Sequence, residues 1–320
     1  MHFLKRILFL IPLLLFISFL AFGLVRIAPG GPFDKERTPA SPEIERNIRA
    51  KYHLDEPLWK QYLRFLGTGM ERDVNGKWRA FRGGLIRGDF GPSLKYRNHS
   101  VNDIILLGLP VSLSLGAAAF CFALGIGIPL GFYTAVRRGQ WGDYIGSFFA
   151  FLTICIPAFV VGPLLVMAFA VHWHWFPVAM WSSPLHLVLP TIALGLYFSG
   201  RIARLMREGM LNTLNADFIR TARAKGVSDA SLLWKHAFRL AVLPVLSYSG
   251  PLLADLLTGS FVVENLFQIP GIGVFIVNSS INRDYPMVVG LVLLYAFFLL
   301  VLNIVVDFSY SLLDCRVRYE

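Results

Sequence analysis

Apolar residues in this chain gather into long runs rather than into single helical stripes or strict alternation. Six runs are long enough to cross a bilayer, which takes roughly 20 helical residues with a range of about 17–25. They lie near 7–25, 109–136, 145–171, 185–200, 241–263 and 287–308. The fourth, LHLVLPTIALGLYFSG, is short and holds Pro190 and Gly195, so its helix is expected to continue into RIARLMRE. The first follows Lys5 and Arg6. It exceeds the ~7–15 apolar residues of a secretory signal and RIAPGG offers no A-x-A site, so it reads as an uncleaved anchor helix. The pattern predicts an all-α polytopic membrane protein.

Two polar segments interrupt the runs. The longer, 31–105, contains SPEIERNIRAKYHLDEPLWKQYLRFL, with apolar or aromatic residues at Ile44, Ile48, Tyr52, Leu58, Tyr62 and Phe65. That helical spacing breaks near Pro57, and SPEIE is a helix start, so two packed helices are expected. GTGMERDVNGKWRAFRGGLIRGDFGPS, rich in Gly and charge, reads as loop. Its NGKW is not a phosphate loop, because Glu71 and Trp78 stand where Gly and Ser or Thr are required. The chain therefore carries no Walker-type ATPase of its own.

The second polar segment is NADFIRTARAKGVSDASLLWKHAFRLAVLPVL, residues 215–246. Asn215 to Lys225 can form a short helix with Phe218, Ile219 and Ala222 on one face and Arg220 and Arg223 on another. Gly226 suits the left-handed position that ends a helix. Ser228 can cap a second helix, 229–240, presenting Leu232, Leu233, His236 and Leu240 before the fifth run begins around Pro244. Small Ala222, Ala224 and Gly226 would let another surface approach closely, with the arginines pairing to its acids or carbonyls. The alternative is a basic amphipathic helix resting on anionic lipid.

Composition supports the membrane reading, with 55% hydrophobic and only 16% charged residues and a mean hydropathy of +0.58. The net charge of +10 would point to nucleic acid in a soluble protein, but its placement explains it otherwise. With a cytoplasmic N-terminus, the inside segments hold fourteen Lys and Arg, whereas the outside loops at 172–184 and 264–286 hold only Arg283. Segment 31–105 carries fourteen more, but it exceeds the length over which the rule acts and its ten acids leave it mildly basic. The charge is mainly a topology signal, and no nucleic-acid partner is expected.

Candidate chemistry is sparse. Cys121, Cys155 and Cys315 make neither a disulfide framework nor a metal spacing. His172 and His174 in HWHWFP read as part of an interfacial aromatic belt with Trp173 and Trp175 rather than as metal ligands. Neither a Ser-His-Asp order, an HExxH motif nor a facing carboxylate pair suggests catalysis, and no cofactor is expected on this chain. Asp307 reads as a structural charge near the end of the sixth run. Asp255, in SGPLLADLLTG, is the telling acid: at a span centre it costs roughly 2.5–3.5 kcal/mol on insertion scales, so it needs a polar partner or water. A bond to a neighbouring helix is the favoured reading, a place on a translocation path the other.

The motifs also carry a resemblance. RTARAKG, nine residues, then HAFRLAVLP is similar to the cytoplasmic EAA loop of ABC-importer permease subunits of the dipeptide/oligopeptide type, matching at Ala222, Gly226, His236 and Pro244. LVRIAPGGPF, AKYHLDEPLWKQYLRFL, GDFGPSL, IPAFVVGPLLVM, VVENLFQIPGIG, NRDYPMVVG and NIVVDFSYSLLDCRVRY extend the likeness in order along nearly the whole chain. It departs at Met180-Trp181, where a Gly-Trp pair is common, at Cys315 in place of Pro, at Asp255 in place of a small or apolar residue, and in a long 67–87 insertion. The resemblance implies a heterodimer of two permease subunits, a pair of cytoplasmic ATPases docking on the coupling helices, and an external peptide-binding protein. It implies ATPase-coupling roles for Arg220, Ala222, Arg223, Ala224, Gly226, His236 and Pro244. It divides the chain into an anchor, 1–30, an external insertion, 31–105, a permease core, 106–314, with its coupling loop at 215–240, and a cytoplasmic tail, 315–320. The rivals are import of nickel chelates, glutathione or other small solutes on the same scaffold, a self-contained secondary transporter and an intramembrane enzyme.

Overall fold

The computed structural model describes residues 2–27, 50, 53–72, 78–80, 83–96 and 98–313. The apolar runs become helices: α1 (His2–Ile27), α3 (Val101–Val136), α4 (Trp141–Cys155), α5 (Ala158–Leu165), α6 (Val188–Leu214), α8 (Leu243–Leu257) and α11 (Tyr285–Leu313). Four shorter helices accompany them: α2 (Leu58–Leu66), α7 (Asp217–Ala224), α9 (Phe261–Leu266) and α10 (Gly273–Asn282). Five helical stretches are long and apolar enough to span a membrane, and α4 with the segment Ala158–His172 makes a sixth if the bent pair counts as one.

The run at 145–171 does not form one straight helix. α4 begins earlier, at Trp141, and the chain turns by 102° between Cys155 and Ala158. Pro157 disfavours helical backbone at the residue before it and has no N–H to give; Ile156 is accordingly extended, at φ −91° and ψ 115°. The fifth span is likewise interrupted, by Thr258 to Ser260, where Gly259 takes φ +92°. The fourth continues as expected, through Arg201 to Leu214.

The chain forms two compact units, one built on Leu109–Val274 and the C-terminal part of α11 from Phe298, the other on Leu8–Gly108 and Phe275–Phe297. In the first, α3 packs on α6 through a Gly-x-x-x-Gly pair. A Cβ on Gly127 would lie 2.7 Å from the Ser199 carbonyl oxygen, and one on Gly131 would collide with that of Ala203. Without a hydrophobic drive between helices in lipid, such backbone approach supplies the contact.

In the second unit, α2 starts directly after Pro57 and stops at Gly67, whose φ is +80°. It folds back on α1: the Tyr62 ring packs edge-on against Phe22 at 5.1 Å, its hydroxyl pairs with Ser18 Oγ at 2.9 Å, and Arg26 Nε donates to Gln61 Oε1 at 3.0 Å. The helix expected from SPEIE falls outside the described residues. The stretch expected as loop contains a short antiparallel ribbon instead, Met70–Arg72 against Trp78–Ala80. Further on, the buried Asp284 carboxylate accepts hydrogen bonds from the Ser93 hydroxyl and from the Leu94 N–H at 3.1 Å, fixing the approach to α3.

Candidate functional site

The first half of the 215–246 segment folds nearly as its sequence pattern predicts. α7 buries Ile219 to 2% exposure, half-buries Ala222 and leaves Arg220, Arg223, Ala224 and Gly226 in the open. Phe218, expected on the buried face, is 42% exposed. Gly226 ends the helix at φ +77°, with its N–H donating to the Arg223 carbonyl at 3.0 Å and the Val227 N–H to that of Ala222 at 3.2 Å. A Cβ on Gly226 would meet nothing within 4 Å, so the space outside the turn is open to an approaching surface. Arg220 and Arg223 reach Asp217 and Asp229 only at 3.6 and 3.7 Å. All four side chains are largely exposed, so these pairs are loose and cost little to exchange for another acid.

The second half departs from the expected 229–240 helix. Asp229–Ser231 and Phe238–Ala241 are α-helical, but Leu232–Ala237 between them is a π-turn. Its wider winding puts Leu232 and Ala237, five apart, both on the buried side, while His236 faces outward. Ser228 occupies the cap position but its side chain caps nothing. Pro244 is the second residue of α8, where its missing N–H is no loss, and it is exposed. Ile219, Leu232 and Ala237 belong to one core cluster with Met206 and Met210 of α6 and Ala241 and Val245 beyond the π-turn. A push on α7 therefore bears directly on two membrane-spanning helices.

α6 turns charged residues outward, and α8 turns out prolines with one serine and one acid. α6 exposes Arg201, Arg204 and Glu208, and α8 exposes Pro244, Ser247, Pro251 and Asp255 at intervals of three to four residues. The helix-to-helix bond favoured for Asp255 is not found within this chain: among the described residues its carboxylate has no recorded hydrogen bond or ion pair. Arg207 turns the other way and donates from Nε and one terminal nitrogen to the two Asp143 oxygens, each at 2.9 Å.

Sequence reasoning missed this pair, and also Glu264, which is fully buried. Glu264 Oε1 accepts from the Ser112 hydroxyl at 2.7 Å and Oε2 from the Gly273 N–H at 2.8 Å. Asp143 and Arg207 lie in the polar segments between the apolar runs and Glu264 just past the end of the fifth, so no local pattern marked them. Around His172 and His174, Trp173 stacks on Trp175 at 4.8 Å, and no metal-holding cluster occurs among the described residues.

Residues 127–319 match the family described as binding-protein-dependent transport system inner membrane component. The chain belongs to that family. It is thus a multi-pass membrane component of a transport system. The curated relatives agree along the whole length. The oligopeptide transport system permease protein OppB of Haemophilus influenzae is 40% identical over 98% of each chain. OppB of Escherichia coli K12 is 41% identical over 99% of this chain and 98% of its own. The dipeptide transport system permease protein DppB of Bacillus subtilis is 41% identical over 99% of this chain and 97% of its own.

Proposed function

We propose that this chain is one of two permease subunits of an ATP-binding-cassette importer and forms half of its transmembrane pathway for oligopeptides or dipeptides. The observation that carries this reading is α7. It is a short helix with one buried anchor, Ile219, and an open, left-handed Gly226 turn, set on a chain 40% identical end to end to an oligopeptide permease. α7 and the π-turn face the cytoplasm of a bacterial cell, where two separate ATPase subunits dock on them; both termini lie on that side and segment 31–105 lies outside. The excess of basic residues in the short segments on that side supports this orientation. Arg220 and Arg223 pair with the ATPase surface, Ala222, Ala224 and Gly226 let it approach, and His236 and Pro244 border the contact. Closure of the ATPases on ATP displaces α7, and the core around Ile219, Leu232 and Ala237 passes the displacement to α6 and α8. An external peptide-binding protein delivers the substrate, and Asp255 lines the path.

Membrane vesicles holding the chain with its partner permease, ATPases and binding protein test the proposal. Uptake of tri-alanine that requires both ATP and the binding protein is expected. Uptake independent of ATP, or accumulation of a nickel chelate in place of any peptide, would overturn it.

A further inference from the structure

The spanning helices differ in what they turn outward. α4 exposes Phe148, Phe149 and Phe151, side chains that lipid solvates well. α6 and α8 instead expose Arg201, one residue past the fourth apolar run but within the same helix, and Asp255. A charge at membrane depth faces hydrocarbon only at high cost, so such residues turn toward protein or a watered cavity. Neither of these two has a counter-charge recorded among the described residues. Arg201 donates to the Tyr197 hydroxyl at 3.1 Å and lies 5.4 Å over that ring, with the Tyr248 hydroxyl of α8 beside it. The two tyrosines orient the guanidinium and leave its charge uncompensated. Tyr248 and Asp255 are seven residues apart on α8, two turns along one stripe of the helix, or about 10 Å. A held cation and an open carboxylate are thereby set on two packed helices of the same unit.

We infer that Arg201 and Asp255 form a two-pole subsite for the zwitterionic backbone of a short peptide, Asp255 receiving the α-ammonium and Arg201 the α-carboxylate. This rests on the reading of the chain as a peptide permease. The planar fork of the guanidinium suits a carboxylate in two-point contact. The subsite makes the pathway selective for free termini, over and above any choice made by the binding protein.

The test uses the complete importer in proteoliposomes, with tri-alanine as probe at saturating binding protein and uptake normalised to assembled complex. Asp255→Asn and Arg201→Gln are each expected to lower uptake about tenfold, the size of one lost charge-assisted contact. The reversed pair, Arg201→Asp with Asp255→Arg, is expected to restore it to within about threefold, because the peptide then meets the same two poles end for end. Equal uptake in the single variants, or no recovery in the reversed pair, would overturn the inference. So would loss of assembled complex in either single variant, which would make these charges contacts to the second permease subunit. If the native complex takes up no tri-alanine under ATP and binding protein, the peptide-permease reading itself fails, which is a separate result.

Discussion

Arg207 grips both oxygens of Asp143 at 2.9 Å, across 64 residues of sequence, and so ties α6 to the first turn of α4. Asp143 is 5% exposed and also accepts from the Gly139 N–H at 3.0 Å and the Ser147 hydroxyl at 3.1 Å. Truncating one member of such a pair strands the other, at about 3–5 kcal/mol when both are buried. Arg207 keeps 32% side-chain exposure, so the lower end of that range applies. Asp143→Ala is therefore expected to destabilise by about 3 kcal/mol, read as an earlier thermal unfolding of the purified complex. Asp143→Leu with Arg207→Met should recover much of the loss, since apolar pairs of similar volume are often neutral replacements. A double variant as unstable as the single one would contradict this account.

Gly226 separates backbone strain from surface chemistry. At φ +77° any side chain is disfavoured, by roughly 1–2 kcal/mol, yet a Cβ there touches nothing within the chain. Gly226→Ala should therefore insert and assemble normally and lose only part of ATP-driven uptake. Gly226→Asp adds a carboxylate where an ATPase surface must approach, and should abolish uptake at unchanged subunit levels. Normal uptake by the Asp variant would remove the docking role from this turn.

How much of this was legible in the sequence depends on the distance over which each feature is decided. The spans were readable because roughly 20 apolar residues in a row leave little alternative to a membrane helix. α7 and its Gly226 stop were readable because caps and amphipathic faces are local. The 102° bend at Pro157 was missed because hydropathy sums residues without regard to direction, although the proline itself was visible. The Met70–Arg72 ribbon was missed because its strands carry charges rather than an apolar alternation; only Asn75-Gly76 hinted at a hairpin. Asp255 stood out as a charge inside the fifth apolar run, but whether it pairs inward or faces out is set by α6 and α8 together. Asp143 with Arg207, and Glu264 with Ser112, are pairings between residues far apart in the chain, for which one sequence holds no spacing to read.

The orientation of the chain has its own test. Enzymatic reporters fused after Arg138 or Gly226 should report the cytoplasm, and one near Gly69 the outside, because the short segments holding the first two carry the basic excess. A reporter at Gly69 that is active only in the cytoplasm, together with external signals at the other two sites, would invert the map and remove α7 from the reach of any ATPase.

The buried carboxylate of Glu264 bears on the loop after α9. It joins α3, through the Ser112 hydroxyl at 2.7 Å, to the Gly273 N–H at 2.8 Å. Ser112 Oγ in turn accepts the Ile272 N–H at 2.9 Å. The Ser112 hydroxyl and the Gly273 N–H both donate to the carboxylate, so Glu264→Gln loses one of these bonds: the new NH2 either faces the Gly273 N–H or replaces the Ser112 hydroxyl as the donor, leaving that hydroxyl without its acceptor. That substitution and Ser112→Ala are each expected to cost about 1–3 kcal/mol, the penalty of leaving buried polar groups unpaired. The two act on shared partners, so the double variant should lose clearly less than the sum. Gly273→Ala should also destabilise, because a Cβ there would lie 2.8 Å from the Phe261 nitrogen and 2.9 Å from Glu264 Oε2. Thermal unfolding of the purified complex measures all four. Strict additivity of Glu264→Gln and Ser112→Ala would mean that the two residues stabilise the loop separately, and unchanged unfolding in Gly273→Ala would mean that the loop has room for a side chain at that position.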